Sequence, residues 1–360
     1  MKKILIITNH SYMLYQFRKE LIQRLLKEHE VVLVMPFVGH VEDFKQMGCR
    51  CISMDVDRRG MNPITDLKLY KAYYAILKKE HPDLVITYSI KPNIYGGMAC
   101  QKLKIPYCVN VQGLGTAFEN KKLAWFVSML YRYALKKAKV VFFENHGNAN
   151  VFLKRKIIHE DKICVLNGAG VNLEQYIYQE YPKDLSIHFI FIGRIMKEKG
   201  IDEILETARK MKEKYKNKVV FDLVGFFEDE YKDIVEQMNK EGIIVYHGFQ
   251  QDVKPFLKEA HCLLLPSYHE GMANTILEAS SMGRPVIVSN IPGCQEGVID
   301  QESGYLVKVK DSQDLYEKVE RFYHLSFEKK RQMGMNARKL MEEKFDKKKV
   351  VEITYKELMS

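Results

Sequence analysis

The sequence lacks the features that mark several large classes of protein. None of its 360 residues lie in an apolar run that approaches the ~20 residues of a membrane-spanning helix. Its seven cysteines are odd in number, form no C-x-x-C pair and have no zinc spacing with histidine. The opening MKKILIITNHSYM has too short an apolar run for a secretory signal and is more typical of a buried strand. These absences indicate a cytoplasmic protein without a disulfide scaffold.

Two kinds of ligand site are also missing. The first predicted strand is followed by Thr8-Asn9-His10-Ser11-Tyr12, which contains no glycine of the G-x-G-x-x-G pattern that binds dinucleotides. We also expect no Asp-x-Asp metal motif at a strand end. The sequence therefore predicts no NAD site, no bound metal and no other cofactor.

Positive charge is concentrated in one half of the chain. Residues 1–180 hold 27 lysines and arginines against 16 acidic residues, whereas residues 181–360 hold 29 against 30. The segment from Lys91 to Lys156 has 12 basic residues and two acidic ones. We therefore expect an anionic partner for the first half. A nucleic-acid-binding protein is one interpretation, and it would require basic residues interleaved with exposed aromatics.

Short apolar runs alternate with longer amphipathic ones in two successive blocks, a pattern typical of doubly wound α/β sheets. Strands are predicted at residues 3–8, 31–35, 51–54, 84–88, 107–111, 140–143, 187–192, 219–223, 243–246, 262–265 and 286–288. Helices are predicted at residues 13–28, 41–48, 65–80, 93–103, 119–137, 146–156, 201–215, 229–240, 252–259, 273–282, 312–325 and 347–359. We predict two Rossmann-like domains facing a central cleft, 1–166 and 167–345, and a final helix within 346–360 that could pack back on the first domain.

A turn with two cations follows the first strand of the second domain and runs from Gly193 to Gly200. Glycine permits a ligand to approach the backbone closely, and a helix N-terminus with partial positive charge comes next. The guanidinium of Arg194 and the ammonium of Lys199 suit a pyrophosphate. A solvated loop before an exposed helix explains this turn equally well when it is taken alone.

Two carboxylates lie eight positions apart in the same domain, at Glu270 and Glu278. Because eight residues are close to two helical turns, we expect both carboxylates on one face. Between them, Gly271 to Asn274 are predicted to begin a helix whose N–H groups can donate to an oxygen-rich ligand. This combination suits a sugar or a ribose. The weaker alternative is a capping glutamate followed by a surface glutamate.

Further motifs accompany these segments, namely Gly283-Arg284-Pro285-Val286-Ile287-Val288-Ser289 and Gly293-x-x-Glu296. The whole set resembles the retaining glycosyltransferases of family 4, which have the GT-B fold. In the first half, Tyr88 to Gly97 and Val111 to Thr116 resemble a narrower branch of capsule, O-antigen and glycoprotein-oligosaccharide enzymes. Members of that branch extend a sugar that is attached to undecaprenyl diphosphate. The resemblance covers nearly the whole chain.

The resemblance implies a role for each motif residue of the second half. Arg194 and Lys199 would bind the donor diphosphate and stabilise the leaving nucleotide, and Glu270 would contact the transferred sugar. Glu278 would bind the ribose hydroxyls. The other implied donor-binding residues are Gly193, Gly271, Met272, Ala273, Asn274 and Thr275. His247 and Phe249 are expected to form the wall of the nucleobase site, although an ordinary strand-end turn explains them nearly as well.

The implied reaction proceeds with retention of configuration. In the front-face path usual for the family, the acceptor hydroxyl attacks from the side on which the phosphate departs, and the phosphate takes its proton. Glu270 is then not a nucleophile of the glycosidase type. The resemblance alone makes the donor a UDP-sugar.

Acceptor-side candidates follow the strands of the first domain, where ligands of such sheets bind. They are Asn9, His10, Tyr15, Arg18, Lys91, Asn93, Gln112 and Gly113. Many family members place a histidine after a strand of this domain to contact the transferred sugar, but here that region reads Asn110-Val111-Gln112-Gly113. Gln112 and His10 are both candidates for the contact. Arg58 to Pro63 are expected to form a loop near the acceptor opening.

One segment of the basic half combines aromatic and basic residues. It runs from Lys121 to Tyr133, contains the only tryptophan and continues into Lys136, Lys137 and Lys139. A core helix accounts for most of its residues, and a surface for anionic lipid accounts for its basic ends. Both interpretations hold if one face is buried and Lys121, Lys122, Arg132 and Lys136 point outward.

The sequence therefore predicts a glycosyltransferase at the inner face of the cell membrane. It would move a hexose or an N-acetylhexosamine from a UDP-sugar to a saccharide on a polyprenyl diphosphate, without nucleic acid. A GT-B sugar-nucleotide epimerase or a phosphorylase is the alternative. The epimerase lacks Glu270-x7-Glu278 in this form, and a glycogen-type phosphorylase needs a lysine for pyridoxal phosphate.

Overall fold

The computed structural model describes residues 1–56, 62–115, 118 and 120–360. The chain forms two compact units. Unit 1 consists of Met1–Ala169 together with Lys348–Ser360, and unit 2 consists of Gly170–Lys347. The loop expected at Arg58 to Pro63 lies mostly outside the described residues, because its first four residues are among those omitted.

Unit 1 contains a seven-stranded sheet with the strand order β3-β2-β1-β4-β5-β6-β7, in which all neighbours are parallel. Its strands are β1 (Lys3–Ile7), β2 (Glu30–Met35), β3 (Arg50–Ser53), β4 (Leu84–Tyr88), β5 (Tyr107–Val111), β6 (Val141–Phe143) and β7 (Ile163–Val165). Its helices are α1 (Ser11–Leu26), α2 (Val41–Gln46), α3 (Pro63–Glu80), α4 (Gly97–Leu103), α5 (Lys121–Leu135), α6 (His146–Lys154) and, at the end of the chain, α13 (Lys347–Met359). A π-helical turn, Pro92–Gly96, precedes α4.

Both faces of the unit 1 sheet are covered. Along β1, Leu5 and Ile7 belong to one buried apolar cluster, whereas Ile4 and Ile6 belong to another. This alternation follows from the two-residue period of a strand, and burial on both faces explains the continuous apolar runs of the sequence. Helix α13 contributes Leu358 and its neighbours to the cluster that contains Ile4.

Unit 2 contains a six-stranded sheet with the order β10-β9-β8-β11-β12-β13, again with parallel neighbours. Its strands are β8 (Ile187–Ile192), β9 (Val219–Val224), β10 (Val245–Tyr246), β11 (Cys262–Leu265), β12 (Val286–Ser289) and β13 (Gly304–Val307). Its helices are α7 (Ile201–Tyr215), α8 (Lys232–Lys240), α9 (Lys254–Glu259), α10 (Asn274–Ser281), α11 (Ser312–Tyr323) and α12 (Phe327–Leu340). In both units the first strand is central and the strand order reverses beside it, so the predicted pair of doubly wound α/β sheets is confirmed.

Each predicted strand is present, with ends within two residues of the prediction. Three elements were not predicted, namely β7, β13 and α12. All three residues of β7 are half-exposed, because it is an edge strand and is not enclosed on both faces. Its apolar run, Ile163 to Leu166, is short and directly follows the charged residues Glu160 to Lys162.

Candidate active site

Two charged side chains at the carboxyl end of the unit 2 sheet form an ion pair. Lys199 ends the short turn after β8, and Glu270 lies in the loop after β11. The ammonium of Lys199 contacts Oε1 of Glu270, and the Ser267 hydroxyl donates to the same oxygen over 2.8 Å. The two charged side chains are only 18% and 12% exposed, so solvent screens the pair weakly. The structure thus brings together two of the residues singled out in the sequence.

Gly200 makes this approach possible. Its φ of +73° lies in the left-handed region, and a Cβ there would lie 2.3 Å from the main-chain oxygen of Pro266. The turn after β8 therefore rests directly against the end of β11. The N–H of Tyr268 donates to the main-chain oxygen of Glu198 over 2.9 Å and ties the same two loops together.

Arg194 is held in a different way from Lys199. Its guanidinium is about half exposed and donates to Oε2 of Glu228, which follows β9, over 2.6 Å. Neighbouring Ile195 bridges to Phe227, so this part of the turn is attached to the loop after β9. An anion that binds Arg194 must compete with Glu228 for it.

The loop between Glu270 and α10 differs from the prediction. The helix begins at Asn274 rather than near Gly271, so Glu270 precedes it. Helical spacing therefore does not relate Glu270 to Glu278, and the expectation that it places them on one face is wrong. The two carboxylates belong to different local structures.

Main-chain donors in this loop are fewer than expected. The N–H of Ala273 is engaged, because it donates to the oxygen of Gly293 over 2.9 Å. Gly293 has a φ of +90°, and a Cβ there would lie 2.5 Å from the oxygen of Gly271, so only glycine fits. The N–H groups of Asn274 and Thr275 open α10 and have no acceptor among the described residues. They are the amide donors that this end of the helix can offer to a ligand.

Glu278 lies in the second turn of α10. Burial raises the pKa of its carboxyl to about 7, although a hydrogen bond with Tyr176 and the charges of Lys347 and Lys254 oppose this shift. The side chain still reaches solvent in part. Near neutral pH this carboxyl can therefore either donate or accept a hydrogen bond.

His247 and Phe249 have different surroundings. The His247 ring donates through Nε2 to Asp222 over 2.8 Å and packs edge-on to Phe256, while Nδ1 of His188 contacts the other oxygen of Asp222. Phe249 is 60% exposed, and its ring centroid lies 6.1 Å from that of Phe226, which is also exposed. Phe226 and Phe249 therefore form the exposed aromatic surface here, whereas the side chain of His247 is 26% exposed and held by Asp222.

A cavity of about 210 Å³ lies at the carboxyl end of the unit 1 sheet. Four of the predicted acceptor-side residues line it together, namely Asn9, His10, Arg18 and Gln112. Gln112 and His10 are the two candidates to replace the histidine that many family members have, and both line this cavity. Met13, Leu14, Thr8, Tyr88 and Ser89 complete the lining.

Arg18 lines this cavity although its side chain is almost completely buried. Its guanidinium pairs with Glu144, with 2.5 Å between Nη2 and Oε1, and the side chains are 6% and 11% exposed. Burial raises the pKa of the Glu144 carboxyl to about 7, against the opposing effect of Arg18. The cavity therefore has a nearly dry ion pair at its wall.

The remaining unit 1 candidates, Tyr15, Lys91, Asn93 and Gly113, are not part of the lining of this cavity, and three of them have contacts of their own. The ring of Tyr15 stacks on His40 at 4.1 Å. Lys91 pairs with the largely buried Asp66 at 3.1 Å. Asn93 is 1% exposed, and its amide donates to the main-chain oxygen of Asn110 over 2.8 Å. The lining of the cavity includes Gln112 and does not extend to Gly113.

Sequence reasoning missed four polar residues that hold these sites, namely Ser89, Glu144, Glu228 and Ser267. Ser89, Glu228 and Ser267 follow strands β4, β9 and β11 within a few residues, so their position at strand ends was the available signal. Glu144 follows β6 directly and is one of two acidic residues in the basic segment. Its isolation among positive charges was a signal as well.

The expectation that no Asp-x-Asp motif follows a strand is wrong, because Asp55-Val56-Asp57 comes two residues after β3. Asp57 lies outside the described residues. Among the described residues, no group of three or more histidine, cysteine, aspartate or glutamate side chains could hold a metal ion. In the same part of the chain, no helix has the length and apolar character needed to cross a membrane.

Helix α5 has one buried and one exposed face. Ala124, Val127 and Tyr131 lie on the buried face. The exposed face carries Trp125, Phe126, Met129 and Tyr133 together with Lys121, Lys122, Arg132 and Lys136. The expectation of a core helix is confirmed for one face only, and the other presents aromatic and basic side chains to solvent.

Two parallel, doubly wound sheets are the architecture of the GT-B fold. The fold matches a glycosyltransferase from Rickettsia africae with a TM-score of 0.81 at 18% identity, covering 100% of this chain and 99% of the other. It matches Anabaena HepE in complex with UDP-glucose with a TM-score of 0.80 at 15% identity, covering 100% of both chains. At these identities the likeness shows the fold alone.

The sequence assigns the family. The family model described as "Glycosyl transferases group 1" matches residues 178–340, and the model described as "Glycosyl transferase 4-like" matches residues 3–145. The chain thus belongs to the group 1 and family 4-like glycosyltransferases, as the motifs indicated. The comparisons give no support to an epimerase or a phosphorylase.

Two curated relatives are similar over most of their length. One is the N,N'-diacetylbacillosaminyl-diphospho-undecaprenol alpha-1,3-N-acetylgalactosaminyltransferase of Campylobacter jejuni, which is 29% identical over 325 residues and 85% of each chain. The other is the UDP-Gal:alpha-D-GlcNAc-diphosphoundecaprenol alpha-1,3-galactosyltransferase of Escherichia coli, 28% identical over 79% of this chain and 78% of the relative. A capsular polysaccharide biosynthesis glycosyltransferase, CapM of Staphylococcus aureus, is 25% identical over 80% of this chain and 79% of its own.

Proposed function

We propose that this glycosyltransferase moves a hexose or an N-acetylhexosamine from a UDP-sugar to a saccharide on a polyprenyl diphosphate. The product would serve the assembly of a bacterial surface polysaccharide or glycan. The observation that carries the proposal is the pair of Lys199 and Glu270, held by Ser267 at the end of β11. The acceptor class is supported by the names of the two relatives, each of which specifies a sugar on diphosphoundecaprenol.

In the proposed site, cations bind the diphosphate of the donor, and carboxylates bind its sugar and its ribose. Lys199 and Arg194 would bind the diphosphate and stabilise the charge that develops on the nucleotide as the glycosidic bond breaks. Oε1 of Glu270 accepts from Lys199 and Ser267, which leaves Oε2 for a hydroxyl of the transferred sugar. Glu278 would bind the ribose, and the exposed rings of Phe226 and Phe249 would pack against the base.

We assign retention and metal independence to this reaction as part of the proposal. Glu270 is already engaged by a cation and a hydroxyl, which suits a positioning group better than a nucleophile. Proton NMR of the first product formed tests retention, because the anomeric coupling of the new linkage reports its configuration. Assay after EDTA treatment tests whether the reaction is independent of metal. This test is needed because Asp55-Val56-Asp57 is an Asp-x-Asp sequence close to the end of β3. An inverted product, or activity restored only by added Mg²⁺ or Mn²⁺, would contradict this assignment.

Variants of the Lys199–Glu270 pair test the proposal directly. Lys199→Ala and Glu270→Ala should each lower transfer by about 10²–10³-fold, since each removes a charge that acts at the transition state. Lys197→Ala is the matched control, because its exposed side chain lies in the same turn. Product is measured by mass spectrometry with a panel of nucleotide sugars and short lipid-diphosphate saccharides, and folding by circular dichroism. Folded Lys199→Ala protein with near-wild-type turnover would refute the site.

We also propose that the protein binds an anionic membrane surface through α5. Its exposed face combines Trp125 and Tyr133, each more than half exposed, with basic residues at both ends. Such a helix can lie in the interface, where aromatic rings enter the headgroup region and each lysine contributes about 1 kcal/mol. This arrangement would bring the enzyme to a lipid-linked acceptor.

Vesicle flotation tests the membrane proposal. The variant Lys121/Lys122/Lys136/Lys137→Glu should lose most of its binding to vesicles that contain anionic lipid, and Trp125→Ala should lose part of it. The control is a variant with the same change of charge on exposed lysines of unit 2, Lys216/Lys218/Lys240/Lys258→Glu. Equal flotation of the wild type and the α5 variant would refute the proposal.

A further inference from the structure

Tyr268 joins the two segments that carry the Lys199–Glu270 pair. It lies two residues before Glu270, and its hydroxyl donates to both carboxylate oxygens of Glu203, over 2.9 Å to Oε1 and 3.2 Å to Oε2. Glu203 lies in the first turn of α7, four residues after Lys199. The bond therefore connects the loop after β11 to the helix that follows the turn of Lys199. The proposed donor site uses neither Tyr268 nor Glu203.

The carboxylate of Glu203 is buried without a cation. The residue is 5% exposed, and within the described part of the chain the Tyr268 hydroxyl is the only hydrogen-bond donor to its side chain. No ion pair of those residues includes Glu203. Burying an unpaired carboxylate costs free energy, and its place in the first turn of α7 offsets this only in part. An apolar side chain would fill this position at lower cost, so stability alone does not account for the acid.

Tyr268 is fixed at three points. Its N–H donates to the main-chain oxygen of Glu198 over 2.9 Å, its hydroxyl is held by Glu203, and the ammonium of Lys310 lies 4.8 Å from the centroid of its ring. Burial and the hydrogen bond to Glu203 raise the pKa of the hydroxyl, so it remains a donor at neutral pH. Since Glu270 is only two residues away, a fixed Tyr268 limits the positions that its carboxylate can take.

The bond between Tyr268 and Glu203 does not depend on Lys199. A donor diphosphate that binds the ammonium of Lys199 competes with Glu270 for it. If the ion pair alone held the loop after β11, the loop would be released at the moment when the sugar must be held. The bond between Tyr268 and Glu203 contains neither partner of the ion pair and can persist through donor binding. Precise placement of a group at the reacting centre is worth orders of magnitude in rate.

We propose that Tyr268 and Glu203 are positioning residues, which hold Glu270 against the transferred sugar while the donor diphosphate engages Lys199. The inference rests on the proposed function for the donor and its diphosphate. It adds how the loop after β11 keeps its place when the ion pair opens. Both residues act through Glu270 and do not touch the donor themselves.

Removal of one hydroxyl tests the inference. Tyr268→Phe keeps the ring and the main-chain bond and should lower kcat about ten-fold, while the KM for the UDP-sugar that the panel identifies and the Kd of UDP stay within about two-fold. Tyr231→Phe is the matched control, because its hydroxyl donates to Oδ1 of Asp202, the neighbour of Glu203, over 2.8 Å, but Tyr231 precedes α8. It should leave kcat unchanged. An unchanged kcat in Tyr268→Phe, or an equal fall in Tyr231→Phe, would overturn the inference.

Variants of Glu203 separate positioning from stability. Glu203→Gln keeps an acceptor for the hydroxyl and should retain kcat within about three-fold, whereas Glu203→Met should match the loss in Tyr268→Phe. The double variant Tyr268→Phe/Glu203→Met leaves no unpaired polar group at this contact, so its melting temperature should return toward that of the wild type while kcat stays low. It also keeps the test available if Tyr268→Phe does not fold. Recovery of kcat together with the melting temperature, or losses that add in the double variant, would contradict a positioning role.

Amide hydrogen exchange of the loop after β11, residues 267–272, tests the inference without any substrate. Lys199→Met removes the cation of the ion pair, much as a bound diphosphate would draw it away, and should leave exchange of this loop within about two-fold of the wild type. The triple variant Lys199→Met/Tyr268→Phe/Glu203→Met should exchange there at least about ten-fold faster. The double variant Lys199→Met/Tyr231→Phe is the control and should match Lys199→Met. Equal exchange in the triple variant and in Lys199→Met would show that the bond does not hold the loop.

Hydrogen exchange is separable from a test of the proposed function, because it needs neither donor nor acceptor. If exchange follows the expectation while no UDP-sugar supports transfer, the proposed function fails and the positioning of the loop by Tyr268 and Glu203 stands. If transfer occurs while exchange is equal in the triple variant and in Lys199→Met, the proposed function stands and the inference fails.

Discussion

Both units place a cation and a glutamate together at the carboxyl end of a parallel sheet, but the two pairs differ in kind. The two glutamates are almost equally buried, at 11% and 12% exposed, but the cation is 6% exposed for Arg18 in unit 1 and 18% exposed for Lys199 in unit 2. The unit with the dry, neutralised pair is the one with the excess of positive charge, and that excess lies outside, on surfaces such as α5. Net charge thus describes the surface of unit 1 and says little about its cavity.

The largest effect that separates the two pairs should be on stability. Glu144→Ala leaves a buried guanidinium without its partner and should lower the free energy of unfolding by about 3–5 kcal/mol. Glu270→Ala should cost less, about 1–2 kcal/mol, because the Lys199 ammonium on its flexible stem can turn toward solvent. Urea denaturation measures both.

The double variant Arg18→Met/Glu144→Met is the control for this contrast. It removes both charges and should recover most of the lost stability, since apolar groups can replace a buried pair at little cost. Equal losses for Glu144→Ala and Glu270→Ala would contradict the distinction between a dry and a wetter pair.

The geometry of the unit 2 pair should depend on Gly200. Gly200→Ala places a Cβ against the main chain of Pro266 and should cost about 2–4 kcal/mol, with a loss of transfer because Lys199 shifts away from Glu270. Gly242→Ala is a matched control, with a φ of +69° and nothing within 4 Å of the added Cβ. It should cost only about 1 kcal/mol and leave transfer intact. Equal effects at the two glycines would show that the contact with Pro266 is unimportant.

Acid titration should distinguish the two buried carboxyls. The pKa of Glu278 is raised from 4.5 to about 7, so between these pH values the folded protein keeps a proton that the unfolded chain releases. Stability therefore falls as the pH rises through this interval, by at most about 3 kcal/mol. Glu278→Gln should remove this part of the slope and leave the part due to Glu144. Thermal unfolding at a series of pH values measures it, and an unchanged slope in the variant would contradict the assignment to Glu278.

The smallest expected effect concerns the exposed pair of Arg194 and Glu228. Glu228→Gln should change the free energy of unfolding by less than about 1 kcal/mol, because solvent screens the pair. It should also lower the KM for the donor by up to about five-fold, since Arg194 no longer has a competing carboxylate. Steady-state kinetics with UDP-sugar decide the point, and a raised KM would show that Glu228 positions Arg194 for the donor.

Much of the fold could be predicted because parallel strands buried on both faces leave continuous apolar runs. Helix α12 was not predicted, because its sequence FEKKRQMGMNARKL is mostly polar and contains Gly334. That glycine lets α12 rest on the main chain of Gly283, where a Cβ would lie 2.1 Å from an oxygen. A tertiary contact of this kind leaves no periodic pattern in the local sequence.

Those site residues that closely follow a strand could be predicted from the sequence. Lys199 and Glu270 were found in this way, and the structure places them in contact. The helix predicted at residues 273–282 starts at Asn274, but Gly271 and Met272 were wrongly expected to begin it, because the loop before it is held by a hydrogen bond between Ala273 and the distant Gly293. The neutralisation of Arg18 by Glu144 joins positions 126 residues apart and has no local signature.

Helix α13 completes the core of unit 1, although all of unit 2 precedes it in the sequence. Val350, Tyr355 and Leu358 belong to the same apolar cluster as strands β1 and β2, so unit 1 needs residues from both ends of the sequence. During synthesis, all of unit 2 leaves the ribosome before these residues do. Domains generally fold as units while the chain emerges, so the second unit can be finished first while the first still exposes part of its apolar interior. For the same reason, a fragment that ends at residue 169 would lack a part of its own core.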